Sequence, residues 1–126
     1  MTTTQPRSVL VTGGNRGIGR AIAEAFIAQG DLVAVTSRNG DAPEGAFAVP
    51  CELTDPASIE AAFVAVEAHQ GPVEVLVANA GITRDTLVLR MSDEDWDTVI
   101  ATNLTSAFRL AKRAAKGMLR LRRGRI

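Results

Sequence analysis

The stretch SVLVTGGNRGIG, residues 8–19, joins two different sequence patterns. Residues 9–11 are an apolar run rich in β-branched side chains, typical of a strand buried in a parallel sheet. Gly13 and Gly14 end that run with backbone freedom that other residues lack. From Gly17 onward, apolar residues recur at helical spacing: Ile18, Ala21, Ile22, Ala25 and Phe26. The pattern predicts a helix that begins among the glycines, so that its free backbone N–H groups can face a phosphate.

The glycine spacing narrows the kind of nucleotide site. Gly-x-x-x-Gly-x-Gly differs from the Gly-x-Gly-x-x-Gly of the standard dinucleotide fingerprint. It also lacks the Gly-Lys-Ser/Thr ending of a P-loop, which argues against a kinase or GTPase. A side chain at Gly17 or Gly19 would hold a pyrophosphate away from the backbone, or the helix away from the strand, so both glycines favour a nucleotide site. A tight turn without a ligand is the alternative that this stretch alone leaves open.

Composition limits the class of protein. The 126 residues are 46% hydrophobic with a formal net charge of zero, which is typical of a folded soluble domain with one small core. Neither the opening MTTTQPR nor any later apolar run resembles a signal peptide or a membrane span, so we expect a cytoplasmic protein without membrane contact. Lone Cys51 cannot form an internal disulfide, and no Cys/His cluster has metal-ligand spacing, so no metal site is predicted.

Three further strand patterns follow the first helix. Residues 32–36, 46–49 and 73–78 are short apolar runs, and a helical pattern separates the last two. Ligands of open parallel sheets bind beyond the carboxyl ends of the strands. The segment Asn79-Ala80-Gly81 follows the fourth strand pattern, so we expect it at the same edge of the sheet as the glycine turn.

Capping residues mark the later helices. Asp55 or Thr54 can cap the helix between the third and fourth strands, and Ser92 can cap a long helix that runs to the basic end of the chain. In that long helix we interpret Trp96 as a packing residue. Asn103 lies in the middle of the same helix, and because asparagine is a poor helix former, its presence there suggests a specific role.

The end of the second strand favours one dinucleotide over another. Where an acidic residue would hold the adenosine ribose of NAD, the sequence has Thr36-Ser37-Arg38 and no carboxylate. Arg38 and Arg16 could both reach a 2′-phosphate, because charge-assisted hydrogen bonds are the natural way to hold a dianion. The sequence therefore predicts NADP, the alternative being that both arginines are solvated surface charges.

Two motifs and a longer stretch resemble a known family. TGGNRGIG after a strand resembles the Thr-Gly-x-x-x-Gly-x-Gly motif of the short-chain dehydrogenases/reductases, and Asn79-Ala80-Gly81 resembles their Asn-Ala-Gly motif. Residues 82–113 are similar to one branch, the 3-oxoacyl-[acyl-carrier-protein] reductases. The resemblance implies an α/β fold with a Rossmann-type doubly wound parallel sheet in three αβα layers. It implies strand order 3-2-1-4 in one NADP-binding domain, residues 1–126, truncated after the fourth strand and the long helix.

The same resemblance assigns roles to particular residues. Asn103 corresponds to the catalytic asparagine, which in the family holds a water of the proton relay; a structural, backbone-bonded asparagine is the alternative. Glu52 stands where the family usually has an aspartate near the adenine. The implied cofactor-binding residues are Gly13, Asn15, Arg16, Gly17, Ile18, Gly19, Arg38, Glu52, Leu53, Asn79, Ala80 and Gly81.

The implied activity is NADPH-dependent reduction of 3-oxoacyl-acyl-carrier-protein to the 3-hydroxyacyl form in fatty-acid synthesis, with acyl carrier protein as partner and a homotetramer as the assembly. In the family a serine and a Tyr-x-x-x-Lys pair follow a fifth strand. Gly124-Arg125-Ile126 resembles the start of that strand. The 126 residues contain no tyrosine, so we expect them to hold the cofactor half and to be inactive alone. Two alternatives stay open: a reductase of a CoA thioester or free ketone, and a non-catalytic nucleotide-binding fragment.

The basic residues are concentrated at one end of the chain. All 14 acidic side chains precede residue 109, whereas 8 of the 14 basic side chains lie within residues 109–126. Six of them recur at steps of three and four, which predicts one helical stripe: Arg109, Lys112, Arg113, Lys116, Arg120 and Arg123. The lack of interleaved aromatic residues disfavours nucleic acid. We expect Arg122, Arg123 and Arg125 to dock the acidic carrier protein, with a merely solvated face as the alternative.

Overall fold

A four-stranded parallel sheet forms the centre of the fold. The computed structural model describes residues 5–126, so the first residues of the opening segment, interpreted above as free of a signal sequence, lie outside the described part. The strands are β1 (Ser8–Thr12), β2 (Leu32–Ser37), β3 (Phe47–Pro50) and β4 (Val75–Val77). β1 pairs with β2 and β4, and β2 pairs with β3, all in parallel. The order β3-β2-β1-β4 confirms the predicted topology.

Residues 5–126 contain four α-helices, of which the first three begin where the sequence predicts a start. They are α1 (Gly17–Ala28), α2 (Pro56–Gln70), α3 (Asp93–Val99) and α4 (Ser106–Leu121), with a 3-10 turn at Val88–Arg90 and a π-helical segment at Ile100–Thr105. Asp55 accepts a hydrogen bond from the Ala57 backbone N–H at 3.0 Å, and Ser92 accepts one from the Asp95 N–H at 3.0 Å. These are the caps expected for α2 and α3, and each satisfies a backbone donor that a helix start leaves unpaired.

Helices cover both faces of the sheet. Successive side chains of β1 point to opposite faces, so Leu10 enters one core while Val9 and Val11 enter the other. The first core joins the sheet to α2 and α4 through Phe63, Val66, Leu110, Ala114 and Met118. The second joins it to α1 through Ala23, with Ile22, Phe26 and Ile27 packed alongside. The arrangement confirms a doubly wound, three-layer, Rossmann-type α/β fold.

The long helix differs from its prediction. It is not one continuous α-helix, because the π-helical segment Ile100–Thr105 separates α3 from α4. Trp96, interpreted as a packing residue, is 59% exposed, and Leu104 and Phe108 are also exposed. The helical period correctly indicated a helix, but several of its apolar residues do not face the core of this chain.

The last residues pair with the sheet. The Arg125 backbone N–H donates to the Glu74 carbonyl at 3.0 Å, and the Leu76 N–H donates to the Arg125 carbonyl at 2.9 Å. This makes one parallel bridge between Arg125 and Val75 of β4. The strand-like character predicted for Gly124-Arg125-Ile126 is therefore present at a single residue.

Candidate dinucleotide site

A cleft of about 620 Å³ opens at the carboxyl edge of the sheet. Its walls come from the ends of β1, β2, β3 and β4 and from the start of α1. They hold every predicted cofactor-binding residue except Gly19: Gly13, Asn15, Arg16, Gly17, Ile18, Arg38, Glu52, Leu53, Asn79, Ala80 and Gly81. Thr36, Ser37, Asn39, Cys51, Ile82 and Thr102 also line it. Five separate sequence segments thus meet at the edge where open parallel sheets bind ligands.

Gly17 and Gly19 of the glycine turn have different structural roles. Gly17 has φ +58°, a left-handed conformation that favours glycine, and apart from its chain neighbours and the adjoining backbone of α1, no atom of the described residues lies within 4 Å of where its Cβ would stand. Its surroundings are therefore open to a ligand. A Cβ on Gly19 would instead lie 2.3 Å from the Gly13 carbonyl oxygen and 2.4 Å from Asn79 Nδ2. Gly19 lies outside the cleft wall because it lets α1 pack directly against the turn.

The N-terminus of α1 suits an anion. Its capping residue, Arg16, has an extended backbone and makes no side-chain capping hydrogen bond within residues 5–126. No acidic residue occupies the first turn, so the positive end of the helix dipole has no counter-charge of its own there. A free helix start beside an open glycine is the arrangement that binds a phosphate. These residues fit the pyrophosphate of a dinucleotide.

Thr12 and Asn79 join the ends of β1 and β4 beneath the cleft. The Thr12 hydroxyl oxygen accepts from the backbone N–H of Asn79 at 3.1 Å and of Ala80 at 3.2 Å. The Asn79 amide nitrogen donates to the carbonyls of Thr12 and Gly13, each at 3.2 Å. Asn79 is thus more than a turn residue, since it holds the glycine turn against the neighbouring strand. Thr12 belongs to the quoted motif, but its supporting role was not predicted.

At the other end of the cleft, Arg38 lies beside Glu52. The Arg38 Nε atom is 3.6 Å from Glu52 Oε2, and the two side chains are 69% and 47% exposed. The second carboxylate oxygen, Oε1, accepts from the Thr54 hydroxyl at 2.9 Å. The end of β2 therefore carries the cation Arg38 and no acidic residue. The Glu52 carboxylate, from the end of β3, contacts this cation.

Asn103 lies on the π-helical segment and not in the cleft wall. Its Oδ1 accepts from the Ile82 N–H and its Nδ2 donates to the Ile82 carbonyl, both at 2.8 Å. The amide thereby fastens the segment to the loop after β4. The neighbouring Thr102 does line the cleft, and its buried hydroxyl has no hydrogen-bond partner in the described part of the chain. No sequence signal distinguished Thr102 from an ordinary helix residue.

Cys51 is buried in the first core, although it also lines the cleft. Burial raises the pKa of its thiol, which the Ser58 hydroxyl contacts at 3.7 Å. The side chain therefore acts as a small apolar residue. Across residues 5–126, no three His, Cys, Asp or Glu side chains cluster to hold a metal ion, and no helix has the length and apolar character needed to cross a bilayer.

The basic end of the chain is less uniform than predicted. Arg113 pairs with Glu60 at 2.6 Å and also with Glu67, and its guanidinium lies 5.1 Å from the centre of the Phe63 ring. Arg123 pairs with Glu74 at 2.7 Å. These two arginines join α4 and the segment after it to the rest of the fold. Two of the six residues of the predicted stripe therefore form ion pairs within the fold.

Comparison with known proteins identifies the family of this chain. The model of the family described as short chain dehydrogenase matches residues 7–126. The chain is 56% identical over 120 residues to "3-oxoacyl-[acyl-carrier-protein] reductase MabA" of Mycobacterium tuberculosis (strain H37Rv), covering 95% of this chain and 49% of that protein. It is 47% identical over 125 residues to "3-oxoacyl-[acyl-carrier-protein] reductase FabG" of Escherichia coli (strain K12), covering 93% of this chain and 51% of that one.

The chain spans about half the length of the curated relatives it matches. The matched region nevertheless includes the glycine turn, all four strands and α4, which are the elements that build the cleft. Because the family match runs through all of them, the chain belongs to the short-chain dehydrogenase/reductase family.

Proposed function

We propose that this chain is the cofactor-binding part of an NADPH-dependent 3-oxoacyl-[acyl-carrier-protein] reductase of fatty-acid synthesis. One observation carries the cofactor assignment: the cleft combines an uncapped helix start at Gly17 with Arg16 and Arg38, and the end of β2 has no carboxylate. The substrate assignment rests on the similarity to 3-oxoacyl-[acyl-carrier-protein] reductases. The bound dinucleotide would supply the hydride that reduces the 3-oxo group.

Each part of the cleft has a proposed ligand group. The backbone of residues 13–19 would hold the pyrophosphate, since glycines and free N–H groups allow close approach. Arg16 and Arg38 would hold the 2′-phosphate through charge-assisted hydrogen bonds. Glu52 and Leu53 would lie at the adenine, and Asn79, Ala80 and Gly81 would line the remaining wall.

Asn103 has a positioning role in this proposal. Its amide is held by two 2.8 Å hydrogen bonds to Ile82, so the π-helical segment keeps a fixed place beside the loop after β4. We propose that it holds the water through which the family's catalytic lysine exchanges protons. The serine and Tyr-x-x-x-Lys pair of the family would come from residues beyond 126. Reading the coding sequence past that point tests this directly, because a stop codon there would contradict a catalytic role.

The proposed protein partner is acyl carrier protein, in the cytoplasm. Arg122 follows α4 and, like Arg125, makes no ion pair with any acidic side chain among the described residues. A free positive surface increases the encounter rate with an acidic carrier and orients it. Arg123 is a weaker candidate than the sequence indicated, because Glu74 already neutralises its charge.

A substrate comparison tests the carrier assignment. In the protein expressed from its complete coding sequence, Arg122→Glu should raise KM for a 3-oxoacyl group on acyl carrier protein, and the increase should shrink at high salt. The same acyl group on CoA should be reduced as before. An equal loss on both substrates would contradict docking through Arg122.

A further inference from the structure

We infer that Glu52 is a specificity-determining residue that limits how strongly the cleft prefers a 2′-phosphorylated dinucleotide. The inference rests on the proposed cofactor and adds a second function to a residue placed at the adenine. Its basis is the contact between the Glu52 carboxylate and Arg38, the arginine at the ribose end of the cleft.

The carboxylate is held in place by its own turn. Its Oε1 accepts from the Thr54 hydroxyl at 2.9 Å and from the Thr54 N–H at 3.4 Å, and the Glu52 N–H donates to the Ser58 hydroxyl at 2.8 Å. With one oxygen bound on this side, the other faces Arg38. The charge therefore has a fixed position in the cleft wall, although half of the side chain is exposed.

The contact with Arg38 is electrostatic. At 3.6 Å, Arg38 Nε and Glu52 Oε2 are too far apart for a good hydrogen bond but close enough for their charges to interact. The terminal nitrogens of the guanidinium still have donors available for a phosphate. A dianion bound there would, however, meet a cation whose charge is partly neutralised, and would be repelled by the same carboxylate. A dinucleotide without the 2′-phosphate carries no charge at that position and would not be affected.

The test titrates NADPH and NADH at low salt into Glu52→Gln and into the unmodified protein, both expressed from the complete coding sequence. Glutamine keeps an oxygen that can accept from Thr54, removes the charge and replaces the second oxygen by an uncharged NH2 group. NADPH should bind Glu52→Gln roughly 3- to 10-fold more tightly, a range set by the Coulomb energy of nearby charges in partly aqueous surroundings. The affinity for NADH should change less than about 2-fold. The gain should shrink in high salt, where exposed charges are screened.

Two controls separate the contact from a general change in net charge. Glu44→Gln removes an exposed carboxylate from the loop before β3, at the opposite edge of the sheet, and should leave both affinities unchanged. In an Arg38→Ala background, Glu52→Gln should have a smaller effect, because the competition between Glu52 and the phosphate for Arg38 is gone and only the direct repulsion of the phosphate remains.

The outcomes distinguish this inference from the proposed function. Unchanged or weaker NADPH binding in Glu52→Gln, an equal gain for NADH, or an undiminished effect without Arg38 would overturn the role of Glu52 while leaving the cofactor assignment standing. If the unmodified chain prefers NADH or binds neither dinucleotide, the proposed function is wrong and the inference is overturned with it.

Discussion

Single glycines decide how closely helix α1 approaches the sheet. Gly17 and Gly19 are two positions apart, yet one lies beside open space and the other has no room for a methyl group. The difference arises because successive positions on a helix point in different directions. Of these two glycines, only Gly19 is therefore required by packing, whereas Gly17 is required by its left-handed backbone.

Gly19→Ala should destabilise the fold by about 1–3 kcal/mol, the usual cost of forcing extra atoms into a packed site. Backbone and the Asn79 amide would have to move, since a Cβ would stand 2.3 Å from the Gly13 carbonyl oxygen. Urea unfolding followed by circular dichroism measures the change. Gly117→Ala is the matched control: its Cβ would meet only Pro72 at 3.9 Å, so the better helix propensity of alanine should stabilise α4 by about 1 kcal/mol. A Gly19→Ala variant as stable as the unmodified chain would contradict the packing role.

Residue-level prediction was most complete where the chemistry lies in a local motif. The glycine turn and Asn79-Ala80-Gly81 could be placed in one cleft because parallel strands bring their carboxyl ends together. The contact between Arg38 and Glu52 depends on how the loops after β2 and β3 approach each other, which spacing along the chain does not reveal. The Arg113 pairs with Glu60 and Glu67 were missed for the same reason.

At the scale of elements, the π-helical segment is the main departure from prediction. An apolar pattern with helical period continues through residues 92–120, and a local change of hydrogen-bond register leaves that pattern nearly intact. The segment adjoins the loop after β4, where the Asn103 amide pairs with both backbone groups of Ile82. Such a contact joins residues distant in sequence, so only the folded chain displays it.

Asn103→Ala should cost about 1–2 kcal/mol of stability, since two hydrogen bonds to backbone are lost at a partly exposed site. Hydrogen exchange at the Ile82 amide should become faster, because its acceptor is removed. Asn39→Ala serves as the control: the Asn39 side chain bonds only to Asp41 in its own exposed turn, and its loss should stay within about 0.5 kcal/mol. Unchanged exchange at Ile82 would show that Asn103 does not hold this loop.

At the scale of the whole molecule, apolar surface remains uncovered along α3 and α4. Trp96 of α3, Leu104 of the π-helical segment, and Phe108 and Leu119 of α4 are each more than half exposed. Phe108 and Leu119 lie on one side of α4, three turns apart. Exposed apolar patches of this kind mark association surfaces, and we propose that copies of the protein associate through this one, as the family resemblance implies.

Phe108→Glu should shift the protein toward smaller assemblies, because a buried contact between copies would then contain an unpaired charge. Sedimentation velocity over a range of protein concentrations measures the shift. Val64→Glu, an equally drastic change at an exposed apolar residue of α2, should leave the assembly as it was. Equal sedimentation of all three proteins would contradict association through α4.

The preference for NADPH is the central claim, and titration of both dinucleotides into the unmodified chain and Arg38→Ala tests it most directly. NADPH should bind more tightly than NADH to the unmodified chain. Arg38→Ala should weaken the binding of NADPH by about 1.5–3 kcal/mol, the range for hydrogen bonds to charged groups. The affinity for NADH should hardly change. Equal affinities for the two dinucleotides, or no loss of NADPH affinity in Arg38→Ala, would contradict the assignment.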